Sequence, residues 1–173
     1  MEAERVEPRI QPVDLEAVLE RALGMIQPLA DKKGVTLSRE IAGDVGQALA
    51  DPQLLQQVLI ACLDNAVKFT PAAGRVWLAV EQADANVRVQ VCDTGIGIPE
   101  TDLENVVKPF YRVHETATTS GSSGTGIGLA LADRLVRAMD GRIEIASTPP
   151  RGTVVCILLP NADPEVAALR RPA

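Results

Sequence analysis

A chain of 173 residues with 46% hydrophobic content can bury one sizeable core, and its formal net charge of −6 argues against a broad basic surface for nucleic acid. No apolar run, the one at 154–159 included, comes near the roughly 20 residues that cross a bilayer, and the charged start "MEAERVEPRI" lacks the apolar centre of a signal peptide. The segment therefore reads as soluble and cytoplasmic, with no membrane contact of its own, although a full-length protein that carries it could be anchored. Cys62, Cys92 and Cys156 are widely spaced in apolar stretches and read as small buried hydrophobes of a reducing compartment; a single histidine, His114, leaves no metal cluster.

Residues 1–12 contain Pro8 and Pro12 and show no periodicity, so they read as a linker or the remnant of an upstream helical region, ahead of a domain expected over 13–160 and a solvated tail over 161–173. The first helix is predicted from Leu15, Val18, Leu19, Leu23, Met25 and Ile26, with an acidic first turn and Lys32, Lys33 and Gly34 at its close. "VTLSREI" (35–41) alternates as a strand. "QALAD" (47–51) leads into a second helix with Asp51 as N-cap and Pro52 at its first position. Leu55, Val58, Leu59, Cys62 and Ala66 form the interior stripe of that helix, while Asp64 and Lys68 lie off it.

Residues 74–93 form a predicted hairpin with its loop at 83–86. Val87, Val89 and Val91 share one face of the second strand, and period two places Asp93 in phase with them, where a carboxylate is costly unless it finds donors. From Gly95 to Gly124 no long periodic segment occurs beyond a turn or two of helix in "ETDLENVV" (100–107); a loop of this length is usually functional, often a lid, or else disordered. A third helix follows over 127–140 with Gly141 as a left-handed stop, then strands at 142–148 and 153–159 around "PPRG", the last apolar on both faces and hence central. The expected architecture is an α/β two-layer sandwich: a mixed sheet of about five strands backed by three main helices.

Two glycine clusters carry the chemistry, "DTGIGIP" (93–99) and "GTGIGL" (124–129). In the second, Leu129 stands where a dinucleotide fingerprint needs glycine, and a serine-rich loop precedes it instead of a strand; no P-loop pattern occurs either. What remains is a glycine-rich helix start whose amides and positive dipole end suit a phosphate.

"LDNAVKFTP" with Asn65, "DTGIGIP" with Asp93, "KPFYRV" with Phe110 and "GTGIGLALADRLVRAMDGRIEI" follow one another in that order. Together they resemble the N box, first glycine box, F box and second glycine box of the ATP-binding catalytic domain of bacterial sensor histidine kinases, within the Bergerat-type group that also holds gyrase, Hsp90 and MutL. The resemblance implies ATP and magnesium as cofactors. Asp93 would accept the adenine amino group, Asn65 would hold magnesium, and Lys68 and Arg112 would compensate phosphate charge. Phe69 would pack near the adenine, Gly95 and Gly97 would keep the lid hinge close, and Gly124, Thr125, Gly126 and Gly128 with Leu129 would wrap the triphosphate. Without the resemblance, Lys68 and Arg112 equally read as solvated charges and Phe69 as core.

The implied reaction is phosphoryl transfer to a histidine on a separate dimerisation domain, with a response regulator as the indirect partner and this domain itself monomeric. His114, inside the lid, reads as a surface residue and not as the acceptor. Two positions depart from the family pattern: Ala61, one turn before Asn65, where kinases often carry Asn and ATPase relatives a general-base Glu, and Val107 in place of an F-box Phe. A catalytically impaired nucleotide-binding module and an anti-sigma-type serine kinase stay open beside the histidine kinase.

Overall fold

The computed structural model describes residues 7–41, 43, 45–113, 126–163 and 165. Helix α1 (Leu15–Lys33) begins where the Asp14 side chain accepts the Glu16 amide, and it ends on Gly34 at φ 74°. The Gly34 and Val35 amides bond back to Asp31 and Ala30, which satisfies the last carbonyls of the helix. In α2 (Pro52–Phe69) the predicted cap is present: the Asp51 side chain accepts the amides of Gln53 and Leu54, with proline in the first turn. α3 (Gly128–Ala138) closes differently from the sequence expectation. Asp140, at φ 57°, takes the left-handed position, and Gly141 follows it because a Cβ there would meet the Leu158 carbonyl at 2.5 Å.

The strands are β2 (Thr36–Ile41), β4 (Arg75–Ala83), β5 (Asn86–Asp93), β6 (Arg142–Ser147) and β7 (Thr153–Pro160), in the order β2-β4-β5-β7-β6. β2 runs parallel to β4 and every other pair is antiparallel, so the sheet is mixed and β7 is flanked on both sides, as its two-sided apolar sequence predicts. All three helices pack on one face, which makes a two-layer α/β sandwich. Its interior is built from fully buried Leu19, Leu55, Leu59 and Leu63 of the helices against Leu78 and Ile157 of the sheet. Burying each such side chain contributes about 1.5–3 kcal/mol relative to exposure. Cys62, Cys92 and Cys156 are free and buried, and burial pushes the Cys62 thiol up to about 12.

Two short strands have no counterpart in the sequence pattern. β1 (Gln11–Val13) pairs antiparallel with β3 (Ala48–Ala50), so the aperiodic stretch before 13 ends in a strand and "QALAD" is more than an approach to α2. The Arg9 amide continues this strap, donating to the second oxygen of Asp51 at 2.8 Å. At the far end, Asn161 is buried, 2% exposed, and bonds to Gln82, so the solvated tail does not begin at 161.

Candidate functional site

Asp93 is the last residue of β5, in line with Val87, Val89 and Val91, each no more than 1% exposed. Its Oδ1 accepts the Gly95 amide at 2.8 Å and the Thr153 amide at 3.2 Å. Burial raises the Asp93 carboxyl above its ordinary value, and these two amides oppose the rise without cancelling it. The donors that period two demands are thus backbone groups, and they orient the carboxylate so that Oδ2 is the oxygen left for a ligand. Gly95 is required at this point: a Cβ would lie 2.6 Å from the Phe69 carbonyl and 2.7 Å from Asp93 Oδ1. The same carbonyl accepts the Ile96 amide at 3.2 Å, which ties the end of α2 to the glycine loop.

Asp93 opens onto a cavity of about 380 Å³, within the usual range for small-molecule sites. Asn65, Lys68 and Phe69 line it from α2, Gly97 from the loop, Arg112 from the lid, and Gly126, Gly128 and Leu129 from the start of α3. Gly95 is not among the lining residues. Gly124, Thr125 and His114, with the rest of 114–125, lie outside the described residues. The side-chain amide of Asn65 forms no hydrogen bond to any described residue, so it is not spent on the backbone. Lys68 Nζ sits 2.6 Å from Asp64 Oδ2, and both line the cavity. Phe69, 37% exposed, belongs to the cavity wall and not to the core.

The lid's two described ends are held together. The Phe110 amide donates to the Gly126 carbonyl at 3.0 Å. Gly126 has φ 70°, and a Cβ there would press on the Tyr111 carbonyl at 2.9 Å. Tyr111 also donates its hydroxyl to Asp102. Phe110 itself points outward, 74% exposed, while Val107 packs partly buried against the core and so anchors the first half of the lid.

Several residues of the site are invisible to the sequence reading. Thr153 supplies an amide to Asp93, Pro149 backs Gly97, and Lys33 donates its ammonium to the carbonyls of Val67 and Lys68 at the end of α2. Only Asp64 has a legible signal, its spacing of four residues before Lys68 on one helix.

Residues 50–163 match the family described as histidine kinase-, DNA gyrase B-, and HSP90-like ATPase. The chain belongs to this family. Within it, the chain is 37% identical over 164 residues to the Non-motile and phage-resistance protein of Caulobacter vibrioides, a match that spans 92% of this chain and 19% of that protein. It is 33% identical over 168 residues to the cell-division control histidine kinase PdhS of Brucella anthropi, spanning 92% of this chain and 16% of that one. The chain thus covers less than a fifth of the length of either relative. Among solved structures, full-length ShkA in complex with AMPPNP superposes with a TM-score of 0.80 at 30% identity, covering 91% of this chain and 32% of ShkA. The mycobacterial sensor histidine kinase MprB gives 0.76 at 27% identity, covering 87% of this chain and 97% of that one. The sandwich is therefore shared with solved histidine kinase structures.

Proposed function

We propose that the chain is the ATP-binding catalytic domain of a two-component histidine kinase, moving the γ-phosphoryl group of Mg-ATP to a histidine on a separate dimerisation domain. The observation that carries this reading is the convergence on one cavity of a fixed carboxylate, Asp93, an uncommitted amide, Asn65, and the glycine-rich start of α3. The relatives named as histidine kinases, and the one solved with AMPPNP, support it.

Magnesium fits the donors present. Asn65 offers a hard amide oxygen at the cavity wall, and among the described residues no group of three or more His, Cys, Asp or Glu forms a cage. An ion with one protein ligand must take its other ligands from phosphate and water, which is the usual habit of magnesium in nucleotide sites. Held there by Asn65, it would neutralise phosphate charge as it develops.

The chain's own residues do the positioning. Asp93 accepts the adenine amino group through Oδ2, the wall formed by Phe69 and Leu129 excludes water, and Lys68 and Arg112 face the phosphates. The amides at the start of α3 point their positive dipole end at the same charge. The acceptor histidine's ring nitrogen donates its electron pair to form the bond to the γ-phosphorus as the bond to the bridging oxygen breaks, and ADP leaves with the electron pair of that broken P–O bond. Ala61 supports transfer over hydrolysis, because no carboxylate stands one turn before Asn65 to activate water. A cytoplasmic location follows from the need for ATP; among the described residues no helix is long and apolar enough to cross a membrane. The partners are a dimerising histidine hairpin and, through it, a response regulator.

Ala61 also favours a second reading, a nucleotide-binding module that no longer transfers. Phosphorylation in trans of an isolated histidine hairpin separates the two. The founding test is calorimetric titration with a non-hydrolysable ATP analogue, with and without magnesium, alongside Asp93→Asn. Magnesium-linked binding that is lost in the variant supports the reading, and a wild type that binds no nucleotide refutes it.

A further inference from the structure

Ala61, Asp64, Asn65 and Lys68 all line the cavity. On a helix they form a closed diamond: 61 to 64 and 65 to 68 are three apart, 61 to 65 and 64 to 68 four apart, so each corner touches the next. One corner is only a methyl. Of the polar corners, the resemblance accounts for Asn65 and Lys68 and gives Asp64 no task. Yet a carboxylate beside a triphosphate site is an obstacle to the ligand unless a cation lies between them.

We propose that Asp64 makes the site selective for metal-loaded nucleotide, by holding Lys68 until a divalent cation takes its place. The inference rests on the Mg-ATP reading of the cavity and deepens it. The Lys68 ammonium lies 2.6 Å from Asp64 Oδ2, and the two side chains are 32% and 33% exposed, so either can swing without disturbing the core. To reach phosphate, Lys68 must leave Asp64. Metal-free ATP then loses twice: the ion pair is broken, and a bare carboxylate is left facing the charge of the triphosphate. Magnesium-bound ATP avoids both losses. Lys68 passes from carboxylate to phosphate, and Asp64 passes from ammonium to the cation's water shell, one residue away from Asn65. The exchange conserves the number of opposite-charge contacts. It also supplies, from the neighbouring corner, the polarity that Ala61 lacks.

A repulsive element that rejects the wrong ligand more than the right one is the general means of specificity. Lys68 alone would attract any phosphate. Asp64 makes that attraction conditional on the metal.

The test is calorimetric titration of wild type, Asp64→Asn and Asp64→Glu with a non-hydrolysable ATP analogue, each in magnesium chloride and in EDTA, with a melting curve for each protein. In Asp64→Asn the freed Lys68 tightens metal-free binding while magnesium-loaded binding does not tighten. The ratio of the two affinities falls roughly tenfold, about 1.4 kcal/mol. Asp64→Glu retains the carboxylate and keeps the ratio within about threefold of wild type, a difference near 0.65 kcal/mol. A melting temperature that drops slightly in Asp64→Asn with an unchanged ratio reduces the pair to an ordinary i,i+4 helix contact and overturns the proposal. Equal tightening of both forms overturns it too, because simple repulsion would then be the whole effect. If the wild type binds neither form, the Mg-ATP reading beneath it fails, independently of what the variants do.

Discussion

Replacing Gly95 with alanine tests whether the close approach of the glycine loop to α2 sets the Asp93 end of the cavity. The added Cβ would sit 2.6 Å from the Phe69 carbonyl oxygen and 2.7 Å from Asp93 Oδ1. Neither atom is free to retreat. The carbonyl is held by the Ile96 amide at 3.2 Å, and Oδ1 by the amides of Gly95 and Thr153 at 2.8 and 3.2 Å. Relief therefore breaks either a neutral backbone bond, about 1 kcal/mol, or a charge-assisted one, about 1.5–3 kcal/mol. Overpacking strain adds about 1–3 kcal/mol. The expected loss is about 2–4 kcal/mol, and at roughly 2–4 °C per kcal/mol for a domain of this size the melting temperature drops by about 5–15 °C. Nucleotide affinity falls with it, because Asp93 loses its orientation. Gly24→Ala is the control: it lies inside α1, and a Cβ added there would meet nothing within 4 Å, so alanine is expected to stabilise by up to about 1 kcal/mol. A Gly95→Ala protein that melts within about 2 °C of wild type and still binds nucleotide would refute the reasoning.

Asn65→Ala is expected to lower magnesium-linked nucleotide affinity at least about tenfold and to abolish transfer to a histidine hairpin; transfer at the wild-type rate would remove Asn65 from the metal site. Asp93→Asn abolishes nucleotide binding yet raises the stability of the nucleotide-free domain at neutral pH. The raised carboxyl of Asp93 contributes stability below its unfolded value and loses it as pH climbs through its folded value. The gain over wild type therefore shrinks on acidification through the carboxylate range, and melting curves across pH that keep a constant gap would contradict this. Asp51 has the opposite sign. Burial pushes its carboxyl up, but the amides of Arg9, Leu54 and Gln53 and the charge of Arg9 outweigh burial and hold it below the ordinary value. Asp51→Ala costs about 0.5–2 kcal/mol at neutral pH, a cost that fades as acid protonates the wild-type carboxylate; thermal unfolding at neutral and acidic pH measures both halves.

What the sequence discloses follows from how far each feature reaches along the chain. The Asp51 cap, the Leu55 to Ala66 stripe and the phase of Asp93 with Val87 are decided within a helical turn or two, or along one strand, and all three stand in the fold. The glycine boxes are legible because a tight approach or a left-handed turn places a local demand on residue type. By contrast, β1 and β3 are three residues each, too short for period two to register, and they exist only because 11–13 finds 48–50. The stop after α3 differs from its sequence expectation for a similar reason. Gly141 is glycine on account of the Leu158 carbonyl on a distant strand, while the left-handed turn itself falls to Asp140.

Lys33 carries this furthest. In chain order it looks like a basic residue placed against the dipole at the end of α1, and its lowered ammonium value, a result of burial, has no counterpart in the sequence. In the fold it crosses to the end of α2 and donates to the carbonyls of Val67 and Lys68. The helix that presents Asn65, Asp64 and Lys68 is therefore fixed at both ends by residues outside every box. At its start Asp51 binds the Arg9 amide of the incoming strap, and at its finish Lys33 binds the last carbonyls. A displacement of the strap before 13 would reach the start of α2 through the Arg9–Asp51 bond, and so bear on how α2 presents Asn65 to the cavity. The boxes supply the groups that line the cavity, and the two clamps specify where those groups stand.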